Sequence, residues 1–260
     1  MLKVLKYSIY DLMRSKWAIA YFAFYLIMTV GLLLLTNDHA QALISLLNIV
    51  IVLSPLLSII FGVIYFYNSR EFTNLLLAQP LTRREIFLGQ FLGVVGVQST
   101  CLLLGLGIPF LVFGILASGI LLSFVSLLVA ALFLTIIFTA IAFLIGLRFE
   151  NRIKGFGLAV FIWLFLAVIY DGLFLVLLSV FRDYPLENFA LIGILLNPID
   201  LSRVLVMINL DIAALMGFTG AVFKNLLGNY LGLLVALMVL TCWALLPIIS
   251  LIRDSMRKDF

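Results

Sequence analysis

Six stretches of the chain, at residues 17–36, 46–67, 86–116, 121–147, 157–181 and 230–252, are apolar almost without interruption. Each is long enough to cross the hydrocarbon core of a bilayer, which takes roughly 20 residues of helix. Lipid offers no hydrogen-bond partner to backbone groups, so only helices and closed barrels can span it. Continuous apolar runs without period-2 alternation select helices. Composition agrees, with 65% hydrophobic residues, 11% charged residues and a mean hydropathy of +1.31. A soluble domain carries roughly 25% charged residues, so a water-soluble fold is excluded. The expected fold is an all-α integral membrane protein, a single domain over 1–260. It has six transmembrane helices, an N-terminal interfacial helix over 1–16, a cytoplasmic connection over 68–85 and a long outer segment over 182–229, between the fifth and sixth helices.

Basic residues fix the expected orientation, because Lys and Arg collect on the cytoplasmic side. Lys3, Lys6, Arg14, Lys16, Arg70, Arg83, Arg84, Arg148, Arg152, Lys154, Arg253, Arg257 and Lys258 fall on the side holding both termini, and only Arg182, Arg203 and Lys224 on the other. Both termini are therefore expected in the cytoplasm, in a multi-pass protein of a bacterial inner membrane. The first run follows Lys3 and Lys6 and precedes Ala40-Gln41-Ala42, like a signal peptide. Its apolar stretch exceeds the 7–15 residues of a signal core, which favours an uncleaved span. The leader places Leu2, Leu5, Ile9, Leu12 and Met13 near helical spacing, as in a helix lying on the membrane surface. The third run is too long for one perpendicular crossing; Pro109 can kink it, or its cytoplasmic end can lie along the interface. Gly89, Gly93 and Gly96 offer a face for close helix packing.

Much chemistry has no residues here. His39 is the single histidine, in the first outer loop, so a multi-histidine metal or haem site on one chain is excluded. Cys101 and Cys242 sit inside apolar runs, as small apolar residues do. No phosphate loop, HExxH, CxxC or GxSxG is present, so no catalytic residue and no cofactor is expected on this chain. The basic residues are scattered at the ends of apolar runs and form no patch for nucleic acid. Asp171 is the one clear acid inside a span. A charge at that depth points either to function or to a structural bond with a neighbouring helix. Asn48, Gln90, Gln98 and Ser99 read as hydrogen bonders between helices.

After the second run come Glu71, three leucines, Pro80, Thr82-Arg83-Arg84-Glu85 and Gly89. Physically this is a short amphipathic segment, a proline break and a new helix with Thr82 and Glu85 as a capping box. An ordinary positive-inside loop explains its charges but not this order of elements. The segment resembles the permeases of type-2 ABC exporters, in which an acid after the second span precedes leucines, a proline and an arginine. The resemblance implies that Glu71, Pro80, Arg83, Arg84 and Glu85 contact a separate cytoplasmic ATPase that binds ATP and magnesium. The chain departs from the pattern in lacking Gly-Thr after the acid and in carrying Gln90 where lysine is common.

A second segment, Leu195-Leu196-Asn197-Pro198-Ile199-Asp200-Leu201-Ser202-Arg203, with Asn209-Leu210 and Ala214-Leu215-Met216-Gly217, is similar to the outer part of Nos-type ABC permeases. That family supports copper-site maturation of nitrous oxide reductase. Asp171 and Arg14-Ser15-Lys16-Trp17 share in the likeness. It implies a homodimer of permeases with an ATPase dimer, a periplasmic β-helical protein and a copper-chaperone lipoprotein. On this chain His39, Met207 and Met216 are the few candidate copper ligands, without cluster spacing. Within 182–224, Asn197 suits a helix N-cap, Pro198 the first helical position and Asp200 the first turn. Leu201, Val204, Leu205 and Ile208 form an apolar stripe, expected of a helix on the outer bilayer face. It is either a lid sealing the bundle or a platform on which Asn197, Pro198, Asp200 and Arg203 dock a periplasmic partner.

Overall fold

The computed structural model describes residues 2–36, 38–115, 119–181, 187–210 and 217–257. Arg182, Met216 and Lys258, and the side chains of Lys224 and Arg257, lie outside the described residues. Among these, every regular element is a helix. In chain order they are α1 (Leu2–Met13), α2 (Lys16–Leu35), α3 (His39–Asn68), α4 (Arg70–Leu77), α5 (Arg83–Val112), α6 (Leu121–Arg148), α7 (Arg152–Leu164), α8 (Tyr170–Val180), α9 (Glu187–Leu196), α10 (Pro198–Leu210) and α11 (Gly217–Arg257). Among the described residues six helical stretches are long and apolar enough to cross a membrane: α2, α3, α5, α6, the rod 152–180 made of α7 and α8, and Tyr230–Met256 within α11. They coincide with the six apolar runs, and the protein is an all-helical, multi-pass membrane protein.

Caps set several boundaries. The Ser15 side chain accepts from Ala18 N and starts α2. Asp38 accepts from Ala40 N at 2.9 Å, so α3 begins at His39, ahead of its apolar run. Thr82 and Glu85 form the expected capping box at the start of α5. α11 breaks at Gly228, whose φ of 66° favours a residue without Cβ. The rod 152–180 contains a widened π turn at Phe165–Ile169.

Small residues let the helices approach, as is usual where lipid removes the hydrophobic drive between them. A Cβ on Gly62 of α3 would come within 2.7 Å of the Ala142 Cβ of α6, and one on Gly105 of α5 within 2.7 Å of the Tyr25 Cβ of α2. α3 and α6 form one packed pair; α2 and α5 form another. The surplus length of α5 is covered by α1. Val4 clusters with Ile86, Ser8 sits against Gly93, and Leu12 shares a core with Val94 and Val97. The buried face of α1 is therefore Val4, Ser8 and Leu12, while Leu2 and Met13 of the expected apolar face are exposed. The reason is Gly93, which admits the small Ser8. Gly96 faces open space, so the expected glycine face reduces to Gly93 with its buried neighbour Gly89. Pro109 lies within the last turn of α5, which runs unbroken from Arg83 to Val112.

The 182–229 region holds the largest departure from expectation. α9 and α10 are bent by 109° at Asn197. Phe189 stacks on Phe174 and the Tyr170 hydroxyl donates to Gly193 O, so α9 descends along α8 in the opposite direction. At the bend Asn197 Nδ2 donates to Leu166 O, and Trp243 Nε1 donates to Leu195 O. Leu166 and Trp243 are the central residues of the spans Arg152–Val180 and Tyr230–Met256. α10 then climbs until Ser123 Oγ, in the first turn of α6, donates to Asn209 O. Thirteen residues at about 1.5 Å each give a climb of about 20 Å. The pair is a re-entrant hairpin reaching the middle of the bundle. α10 does not rest on an outer face: Ser202 and Val206 are buried along with Leu201, Val204, Leu205 and Ile208, against α3, α6 and α11. An apolar stripe reads the same whether lipid or protein covers it.

The two glycines give a paired prediction. Gly93→Ala pushes α1 off α5 and lowers stability by about 1–3 kcal/mol, whereas Gly96→Ala gains up to about 1 kcal/mol of helix propensity. Thermal unfolding in detergent measures both; equal shifts for the two variants would contradict the packing described.

Candidate functional site

A helix end inside lipid leaves carbonyls without partners, and each one exposed to hydrocarbon is costly. The bend at Asn197 meets this demand with side chains. Gly193 O accepts from the Tyr170 hydroxyl at 2.7 Å, Ile194 O from Asn197 N at 3.3 Å, and Leu195 O from Trp243 Nε1 at 3.1 Å. On the α10 side Asn197 Oδ1 accepts from Ile199 N at 3.0 Å, and Pro198 has no N–H to satisfy. The fully buried Asn197 amide group donates to Leu166 O and Asp200 Oδ2, both at 2.9 Å. Leu166 belongs to the π turn, a feature that often marks functional positions.

One turn above the bend lies a charged cluster. Arg203 Nη1 stands 3.4 Å from Asp171 Oδ2 and 3.3 Å from Asp200 Oδ1. The side chains are 29%, 30% and 15% exposed for Arg203, Asp171 and Asp200. Two acids share one guanidinium, whose buried Nε has no hydrogen-bond partner among the described residues. The cluster lines a small cavity of about 120 Å³, walled by Phe174, Ile194, Val204 and Met207. Two carboxylates facing one fixed cation leave acceptor capacity for a proton or another donor. The structure thus joins Asp171 to the residues expected to dock an outer partner. Asn197 and Pro198 are buried and unavailable to a partner, while Asp200 and Arg203 face the cavity. Met207 lines the same cavity, and His39 lies at the start of α3. Among the described residues no three of His, Cys, Asp and Glu group as a metal site.

At the opposite end of the molecule stands the elbow of α4, Pro80 and α5. Its inner face is fixed: Thr73 and Leu76 are buried, Gln90 Nε2 donates to Thr73 Oγ1 at 2.9 Å, and Leu76 packs on Val4 and Ile86. Phe72 stacks on Tyr7 of α1 with centroids 4.5 Å apart. Its outer ridge is Glu71, Asn74, Leu75 and Ala78, all exposed, with Leu75 at 68%. Pro80 and Arg84 are also exposed, and Arg83 and Glu85 half-buried. Gln90 thus bonds between helices as expected, and what the sequence does not reveal is its partner, because Thr73 lies 17 residues away with no local signal. Gln98 links spans as expected, donating to Ser58 O and accepting from Thr139 Oγ1, whereas Asn48 donates to Ile44 O of its own helix.

The fold and both sites define a multi-pass helical membrane protein with a re-entrant hairpin. No known family model matches the chain, and no curated protein does.

The network at the bend makes a prediction. Asn197→Asp keeps the acceptor for Ile199 N, loses both donated bonds and sets a second charge against Asp200, costing about 2–4 kcal/mol. Adding Asp200→Asn restores a donor between the two and recovers part of the loss. Melting temperatures of the single and double variants measure this; a double variant no more stable than the single would contradict it.

Proposed function

We propose that this chain is the permease subunit of an ATP-driven type-2 ABC exporter, of the Nos kind that supports copper-site maturation of nitrous oxide reductase. The observation that carries the reading is the elbow: a helix pinned on one face to α1 and α5, and presenting Glu71, Asn74 and Leu75 on the other. A half-apolar exposed ridge beside charges suits a protein partner. That partner is a cytoplasmic ATPase dimer holding ATP and magnesium, and the permease pairs with a second copy of itself. The remaining partners, a periplasmic β-helical protein and a copper-chaperone lipoprotein, come from the family resemblance. Both termini are cytoplasmic on this reading, in a bacterial inner membrane. Arg203, half-buried in the hairpin, is no loop charge, and the basic asymmetry between the two sides is the sharper for it.

The mechanism follows from which helices move together. Force on α4 passes through Phe72–Tyr7 and Thr73–Gln90 into α1 and α5, and through the Gly105–Tyr25 contact into α2. α3 and α6 are locked by the Gly62–Ala142 contact and carry α10 with them. The seam between these halves holds Tyr21, Tyr25, Ser58 and Gln98, polar groups that can exchange bonds as it opens. ATP closure of the partner then tilts one half against the other.

The test is a double reversal, Glu71→Arg with Arg84→Glu. Single surface pairs contribute at most about 1 kcal/mol, so single variants show little. The double variant is expected to assemble and melt like wild type while ATP hydrolysis no longer drives function. Identification of every co-purified subunit separates the alternatives. An ATPase without a β-helical protein selects a general exporter of a lipid or small molecule, and no ATPase at all selects a membrane scaffold.

A further inference from the structure

Between the α1–α2 rod and the α3–α4 unit lies a groove of about 480 Å³, within the roughly 300–1,000 Å³ of small-molecule sites. Its two ends differ in chemistry. The end beside α4 is walled by Tyr7, Trp17, Tyr65 and Phe72 around the carboxylate of Asp11, with Ser15 and Asn68 at the rim. Asp11 is exposed and makes no ion pair among the described residues. The other end runs between Phe24, Leu57, Ile60 and Ile64, apolar throughout. At the junction Tyr21 lines the groove. It is 6% exposed, and its hydroxyl has no hydrogen-bond partner among the described residues.

We propose that this groove binds a membrane phospholipid with a primary-amine headgroup. An ammonium is matched by a carboxylate set among aromatic faces, through a charge-assisted hydrogen bond and cation–π attraction. Ser15 and Asn68 are placed to donate to the phosphate. Tyr21 lies five residues beyond Lys16 along α2, about 7 Å deeper. The Tyr21 ring borders the groove at that depth, while its hydroxyl is buried beside Ser58, Tyr25 and Thr135. The acyl chain fills the apolar end. An anionic headgroup meets only the Asp11 charge and is repelled, so the site selects by headgroup and not by chain.

The experiment uses the full chain in detergent, delipidated, with native mass spectrometry of bound lipid. The probes are phosphatidylethanolamine and phosphatidylglycerol with identical acyl chains. The ethanolamine lipid is expected to bind at least about fivefold more tightly. Asp11→Asn, an exposed change that leaves the fold intact, is expected to lower its affinity by about tenfold, the scale of a lost charge-assisted bond. The same variant leaves phosphatidylglycerol unchanged or improved. Melting temperature is the folding control for the variant. Equal affinity for the two lipids, or an Asp11→Asn variant that keeps the preference, would overturn the proposal. So would a second copy of the chain occupying the groove to the exclusion of lipid.

Discussion

Hydrogen bonding at one helix break deep in the bilayer is the constraint on which the rest of this structure depends. A chain that turns back at mid-depth must satisfy the free carbonyls of one helix and the free amides of the next, with no water to help. Here Tyr170, Asn197 and Trp243 supply the donors, and Pro198 removes one demand altogether. Each donor comes from a different element, so the fifth span, the hairpin and the last span hold one another in register. The π turn at Phe165–Ile169 fits this arrangement, because its Leu166 carbonyl is the partner of Asn197.

With the hairpin in place, α3 and α6 become the fixed part of the molecule. Their contact is mediated by Gly62, Ala142 and the Phe66 ring against Gly146, an approach that leaves no slack. The α1, α2 and α5 group is held to itself by Gly93 and Gly105 and meets the fixed part through an aromatic layer, Phe87 on Phe66 and Phe91 on Phe143, into which polar groups are set: Gln98 bonded to Ser58 and Thr139, and the hydroxyls of Tyr21 and Tyr25, which have no hydrogen-bond partner among the described residues. Dense apolar packing is nearly incompressible, whereas hydrogen bonds can be exchanged between partners. Two tight groups joined across a seam that includes exchangeable hydrogen bonds are suited to alternate between two arrangements, and the elbow of α4 touches both, through Thr73–Gln90 on α5 and through Arg70 Nη1, which donates to Glu150 O beyond α6.

The six spans were legible because length and apolarity are properties of each segment alone. The capping box of Thr82 and Glu85 was legible for the same reason, being local. Asn197 and Pro198 mark the helix start that α10 shows, but carry no sign of its depth. Leu201, Val204, Leu205 and Ile208 repeat at helical spacing whichever surface covers them, and only the burial of Ser202 and Val206 reveals that α10 is enclosed. One clue was available: α9 is apolar but only 10 residues long, too short to span and too apolar for a loop. Asp171 stood out as an intramembrane acid, yet its partner Arg203 lies 32 positions away on another helix, beyond any local pattern. The true inner face of α1 was hidden because Ser8 is polar, and its burial depends on a glycine in α5.

Depth of the hairpin tip is the most direct measure of this account. A spin label at Leu196, which is 57% exposed at the bend, can be placed along the bilayer normal by its relative accessibility to oxygen and to a polar nickel chelate. The structure predicts a position near the midplane, about 15 Å from either edge of the hydrocarbon core. A label within a few ångströms of the headgroups, about where a surface-lying helix would put it, would contradict it.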